Sequence, residues 1–297
     1  MSEQETLTLT HGDLKFTAHA QGTGPIALMV HGFPDTLTSY RHQLPALADA
    51  GYRAVSVALR GYEPQSIPGD GDYFLTSIAS DVIAWADELG GGDPVHLIGH
   101  DWGAIATYVA TSMAPEKFHS ATTIAIPETQ RFLSFGTRSL RQMRNSWYIV
   151  FFQLGRLADW ALERNDFAFV DMLWRHWSPG WDAPREEVER VKEAFRQPGV
   201  KLAALGYYRA FFKAADPRYQ EAQRLLAEPY QVPTMTLLGE KDGCLNHEVS
   251  LNCMFETDFK GGLEVHSIKD AGHFMHQEKP DAINALLIDW LKRNSPQ

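Results

Sequence analysis

An α/β fold carrying an inserted helical segment is what this sequence predicts, on three observations. Apolar runs recur at "IALMVHG" (26–32), "RAVSVAL" (53–59) and "PVHLIGH" (94–100), each followed by a helix-like stretch. Continuous apolar runs separated by helices are the pattern of parallel strands buried on both faces. From Glu128 to Pro229 the strand-like runs stop and long amphipathic stretches take over, after which the strand and helix rhythm resumes.

The elements follow in order. "ETLTLT" and "LKFTAHA" alternate as a two-stranded antiparallel edge does, with "HGD" as the turn between them. The three apolar runs come next, and "SATTIAI" (120–126) adds a fourth. The helical segment contains "PREEVERVKEAFRQPG" and "EAQRLLAEPY", and it holds five of the eight tryptophans: Trp147, Trp160, Trp174, Trp177 and Trp181. Strands return at "VPTMTLLGE" (232–240) and "LEVHSIKDAGH" (263–273), and "PDAINALLIDWLKRN" closes the chain as a helix. The expected organisation is therefore a core in two parts, residues 1–127 and 230–297, with a helical cap at 128–229. Inserted caps of this kind commonly roof an active site.

The 297 residues are 44% hydrophobic and 22% charged, a globular composition long enough to bury a substantial core. Twenty-seven basic residues against 37 acidic ones give a formal charge of −10. Long-range attraction to nucleic acid or to anionic membranes is not expected from that total. "MSEQETLTLT" lacks the basic start and apolar core of a secretory signal, and no apolar run approaches the roughly 18 residues that span a bilayer. A cytoplasmic protein is expected. Cys244 and Cys253 are too few for a disulfide framework and read as ordinary buried thiols. Oligomeric state is left open, a homodimer included.

The chemistry centres on "HLIGHDWGA" (96–104). A strand, a Gly-x-nucleophile-x-Gly turn and a helix form a nucleophile elbow, which lifts one side chain above the sheet. Here Gly99 and Gly103 give room for close packing and Asp101 takes the raised position. "GEKDGC" follows one late strand and offers Asp242, while "DAGHFMH" follows the last strand and offers His273. Each sits just past the C-terminal end of a strand, where open parallel sheets place their sites. Glu128 is a second candidate for the acid, and Asp242 is preferred. His273 and His276 share a helical spacing, but no third ligand motif accompanies them, so no metal is expected. No GxGxxG or P-loop is present, and no cofactor is expected.

These motifs, from "HGFP" (31–34) through "LRGY" (59–62), "GHDWGA" (99–104) and "GEKD" (239–242) to "AGHF" (271–274), make the chain resemble the α/β-hydrolase superfamily. Within it the chain is similar to the soluble epoxide hydrolases. The resemblance implies a cis bond between Phe33 and Pro34, and oxyanion donors at the backbone N–H groups of Phe33 and Trp102. It also implies two cap tyrosines that hold the epoxide oxygen. "GYYR" (206–209) matches one at Tyr208, with Tyr207 as the competing neighbour, and "WYIVFFQ" (147–153) matches the other at Tyr148.

An aspartate suits this chemistry better than a serine. Serine attack on the saturated carbon of an epoxide would leave an ether, whereas carboxylate attack leaves an ester that water can break. Asp101 ionises unaided, so His273, oriented by Asp242, is free to activate that water. The expected partners are a small apolar epoxide and water. Haloalkane dehalogenases, which share the fold, the aspartate and a tryptophan at the position of Trp102, are the main alternative. A silent binding module is the second, disfavoured by the intact Asp101, Asp242 and His273.

Overall fold

The computed structural model describes residues 3–295, so the outermost positions of the two core segments, 1–2 and 296–297, lie outside the described residues. Eight strands form one sheet. Glu5–His11 (β1) and Leu14–Gln21 (β2) pair antiparallel across a tight turn, as their alternation predicts. Ile26–Val30 (β3), Arg53–Val57 (β4), Val95–His100 (β5), Phe118–Ile124 (β6), Thr234–Gly239 (β7) and Leu263–Ile268 (β8) complete it. The order is β1-β2-β4-β3-β5-β6-β7-β8. β2 also pairs antiparallel with β4, and every pair beyond that is parallel.

Helices Gln43–Asp49 (α1), Leu75–Gly90 (α2) and Trp102–Met113 (α3) connect the first strands. Between β6 and β7 the chain is helical: Thr129–Gly136 (α4), Leu140–Asn145 (α5), Trp147–Phe151 (α6), Arg156–Trp177 (α7), Arg185–Arg196 (α8), Val200–Ala210 (α9) and Pro217–Leu226 (α10). Local sequence explains several of these starts. Ser139 accepts the N–H of Gln142 at the head of α5, and Asp216 accepts that of Arg218 before the Pro217 that opens α10. α7 is broken at Arg164–Phe167, where Asn165, Asp166 and Phe167 adopt positive φ. His247–Leu251 (α11), Met275–Glu278 (α12) and Pro280–Asn294 (α13) follow.

The strands read as continuous apolar runs because both faces of the sheet are covered. β3, β5 and β7 are buried at every position, and the two-residue period sends alternate side chains to opposite cores. Leu28 and Val30 pack with Ile78 and Val82 of α2 and Val109 of α3. Ala27 and Met29 pack instead with Leu44 and Leu47 of α1 and with Ile283 and Leu287 of α13. Each fully buried aliphatic side chain of this size stabilises the fold by about 1.5–3 kcal/mol.

The helical segment is tied to the sheet's C-terminal end by polar contacts as well as apolar ones. The Trp174 indole donates to the carbonyl of Pro34 at 2.8 Å, and the Tyr207 hydroxyl donates to that of Arg60 at 2.7 Å. Gln142 of α5 donates to the carbonyl of Cys244 at 3.1 Å and accepts the N–H of Asn246 at 2.7 Å. These bonds place the helices over the ends of β3, β5 and β7, where Asp101, Asp242 and their neighbours emerge.

Candidate active site

Asp101 stands at the bend between β5 and α3 with φ 49° and ψ −118°. A non-glycine residue in that region is strained, and such strain persists where the surroundings impose it. The glycines on either side allow the bend. A Cβ at Gly99 would lie 2.2 Å from the carbonyl oxygen of Gly103, and one at Gly103 would lie 2.1 Å from that of Val30. Any side chain at either position would push the turn off the sheet, so the Gly-x-Asp-x-Gly pattern has a steric cause.

The three polar groups that the sequence selected meet. Asp101 Oδ1 accepts the N–H of Phe33 at 2.7 Å, and its Oδ2 lies 3.5 Å from His273 Nε2. On the other side of the ring, His273 Nδ1 is 2.9 Å from Asp242 Oδ2. The second oxygen of Asp242 accepts the N–H groups of Cys244 at 2.7 Å and Leu245 at 2.9 Å, which fixes the carboxylate's orientation. All three side chains are buried. The Phe33–Pro34 bond is cis. Glu128, the competing acid, caps α4 instead, accepting from the N–H groups of Gln130 and Arg131 and from the Tyr230 hydroxyl.

The charges reinforce one another. Burial pulls the His273 pKa down, but the carboxylates of Asp242 and Asp101 outweigh it and push it up to about 10. For Asp101, burial favours the neutral acid, yet the His273 hydrogen bond and charge, with the Phe33 N–H, hold its pKa below the ordinary value. The two carboxyl groups thus favour the charged form of the imidazole between them.

A cavity of about 130 Å³ opens above Asp101. Tyr148 of α6 and Tyr208 of α9 line it together with Asp101 and Trp102, and the remaining wall is mostly aliphatic and aromatic. The two tyrosine rings are 5.7 Å apart between centroids. Burial, then nearby groups including Asp101, raises both phenol pKa values well above normal, so each keeps its proton. The hydroxyls differ in one respect. That of Tyr148 contacts Cys244 Sγ at 3.2 Å, whereas that of Tyr208 is buried without a hydrogen-bond partner. Tyr207, the neighbour, points to the Arg60 carbonyl and away from this cavity's lining.

Several contributors lie outside the motifs. Cys244, expected as an ordinary buried thiol, lines the cavity beside Tyr148; its place two residues after Asp242 is the available signal. The carbonyl of Trp177, at the end of α7, accepts the N–H groups of both Gly243 and His273 at 3.0 Å, clamping the acid and histidine loops to each other. Glu278 accepts the N–H of Gly272 and the hydroxyl of Ser178. Two buried groups, Asp35 with His100 and His276, and Asp242 with Cys244 and His273, bring potential metal-ligating atoms within 4.8 Å of one another. In the first, Asp35 already accepts from Ser39, Thr36 and Gln277. In the second, Asp242 is committed to His273 and to two N–H groups. Both groups read as polar networks that support the loops around His273.

Known proteins share this architecture. The chain is 28% identical to "Epoxide hydrolase 3" of Siraitia grosvenorii, over 99% of this chain and 100% of that one. It is 28% identical to the "AB hydrolase superfamily protein YfhM" of Bacillus subtilis, over 94% of each. "Epoxide hydrolase A" of Mycobacterium tuberculosis is 26% identical, over 97% of each. Among solved structures, an epoxide hydrolase from an endophytic Streptomyces superposes with a TM-score of 0.81 at 24% identity, covering 99% of this chain and 97% of that one. One from Vigna radiata gives 0.82 at 24% identity, covering 98% of each. A family model described as the alpha/beta hydrolase fold matches residues 25–280, most of the chain, and on that match the chain belongs to the α/β-hydrolase fold family.

Proposed function

We propose that the protein is an epoxide hydrolase that opens an apolar epoxide to a vicinal diol through an ester on Asp101. The observation that carries this reading is one cavity lined by the Asp101 carboxylate and by the hydroxyl-bearing rings of Tyr148 and Tyr208. A nucleophile and two neutral proton donors across an apolar slot suit the two ends of a strained C–O bond. The names of the relatives point the same way. Residues 128–229 act as the cap that carries both tyrosines.

In the first step an oxygen of Asp101 forms a bond to one epoxide carbon while the C–O bond of the ring breaks. The electron pair goes to the epoxide oxygen, which takes the proton of Tyr208 or Tyr148. Esterification removes the negative charge of Asp101, one of the two that hold the His273 proton, so the imidazolium releases it to solvent. Neutral His273, still oriented by Asp242, then takes a proton from water as the water attacks the ester carbonyl carbon. The N–H groups of Phe33 and Trp102 receive the developing oxyanion. Collapse expels the second diol oxygen, which is protonated through His273, the water's other proton restores the tyrosine, and His273 takes a proton back from solvent to regain its resting charge. Water supplies the oxygen that stays on Asp101, so no cofactor enters the sum.

Dehalogenation by the same aspartate is the alternative, since Trp102 also lines the cavity. The paired tyrosines, which halide release does not use, favour the epoxide. The reading places the enzyme in the cytoplasm, where its two free thiols stay reduced. The test is a panel of aryl epoxides and bromoalkanes assayed for diol and for acid release. Diol formation that vanishes in Asp101→Asn is expected. Halide release without diol would move the assignment to dehalogenase, and silence on both panels would favour a binding role.

A further inference from the structure

Half of the large apolar side chains exposed among the described residues fall between Leu140 and Trp160. Each of three successive helices turns an i, i+3 pair to solvent: Leu140 and Met143 on α5, Trp147 and Val150 on α6, Leu157 and Trp160 on α7. The exposure is not marginal, with Leu140 at 84% and Val150 at 63%. Ordinary surfaces scatter such residues singly; a concentration of them marks an interaction site.

The unpaired charges along these helices have one sign. Arg138, Arg141, Arg144, Arg156 and Arg164 are all exposed, and none takes part in an ion pair among the described residues. The only acids from 138 to 164 are Asp159 and Glu163, which already face Arg209 and Lys201 of α9. Arg164 stacks on Trp160, its guanidinium carbon 4.9 Å from the ring centre. A chain whose formal charge is −10 thus gathers unneutralised cations at its most apolar surface. Total charge argues against attraction to an anionic surface, but screening confines each charge's influence to about 10 Å at ordinary salt, so the local sign decides.

We propose that this arginine-bordered ledge of α5, α6 and the start of α7 docks on an anionic lipid surface. Tryptophan and aliphatic side chains enter the headgroup boundary while arginines reach back to phosphate and snorkel along their stems. The ledge adjoins the cavity, since Leu133 of α4 and Ile149 of α6 line it. A second copy of the chain is a poorer occupant, because two-fold pairing would set the same unpaired arginines against each other. The docking does not depend on the chemistry proposed above, and it needs no spanning element. No helix among the described residues is long and apolar enough to cross a membrane.

The test is flotation of the intact protein with vesicles of phosphatidylcholine alone and of phosphatidylcholine mixed with phosphatidylglycerol, beside sedimentation velocity without lipid. Binding to the anionic vesicles only, weakened by salt, is expected. Charge reversal by Arg141→Glu with Arg144→Glu should reduce partitioning at least about twenty-five-fold, from about fivefold per lost cation. Leu140→Ser with Val150→Ser should reduce it independently, and both positions are exposed, so the fold is retained. Failure to float with anionic vesicles, or flotation undiminished by charge reversal, overturns the proposal. A dimer that the Leu140→Ser and Val150→Ser changes dissociate also overturns it, by showing that a second copy covers the ledge.

Discussion

Replacing His273 with glutamine should stop the reaction at the ester and make the intermediate visible. The imidazole lies 3.5 Å from Asp101 Oδ2 and 2.9 Å from Asp242 Oδ2, so it is a base within reach of a water attacking an Asp101 ester. Glutamine cannot accept a proton at neutral pH, whereas Asp101 keeps the 2.7 Å hydrogen bond from Phe33 and can take a second one from the glutamine amide in place of the imidazolium. Ring opening should therefore survive. Positioned general bases contribute about 10²–10⁴-fold. Against a turnover on the order of 10 s⁻¹, ester hydrolysis would fall to about 0.001–0.1 s⁻¹, a lifetime of seconds to minutes. Acid quenching followed by intact-mass measurement should show a gain equal to the whole epoxide, because ring opening expels nothing. A bromoalkane would instead add its mass less that of hydrogen bromide. Peptide mapping should place the adduct on Asp101. Wild-type turnover with no adduct, or an adduct on another residue, would refute the reasoning.

Other outcomes follow from the same geometry. Tyr208→Phe removes the unpartnered hydroxyl and should lower kcat/KM for epoxides about 10²-fold, as loss of one preorganised donor does, measured on a purified variant with an unchanged melting temperature. Because the folded chain holds the His273 proton more tightly than the unfolded chain, its contribution to stability is complete below about pH 6.5. That contribution should fade as pH rises through about 10. Melting curves across that window should fall more steeply for the wild type than for His273→Gln. Arg60 and Asp81 form a buried pair with two 2.7 Å contacts, and Asp81 also meets His11. Asp81→Ala strands the guanidinium and should cost about 3–5 kcal/mol in urea unfolding.

Sequence alone determined the strands, the elbow and the chain order of Asp101, Asp242 and His273, because each depends on local causes. Buried parallel strands must be apolar throughout, and the elbow must have glycine where a Cβ would strike the Gly103 or Val30 carbonyl. Choices that depend on where distant segments meet were decided only in three dimensions. Tyr207 and Tyr208 are equivalent letters, yet adjacent helical residues diverge by about 100°, and packing sends one to the Arg60 carbonyl and the other into the cavity. Glu128 and Asp242 both follow strands, but only Asp242 faces His273, because the Trp177 carbonyl holds both of their loops. The tryptophan-rich helical segment was visible in sequence, whereas its division into buried Trp174 and Trp177 and exposed Trp147 and Trp160 was not. Burial is a property of neighbours, and for these side chains the neighbours lie far along the chain.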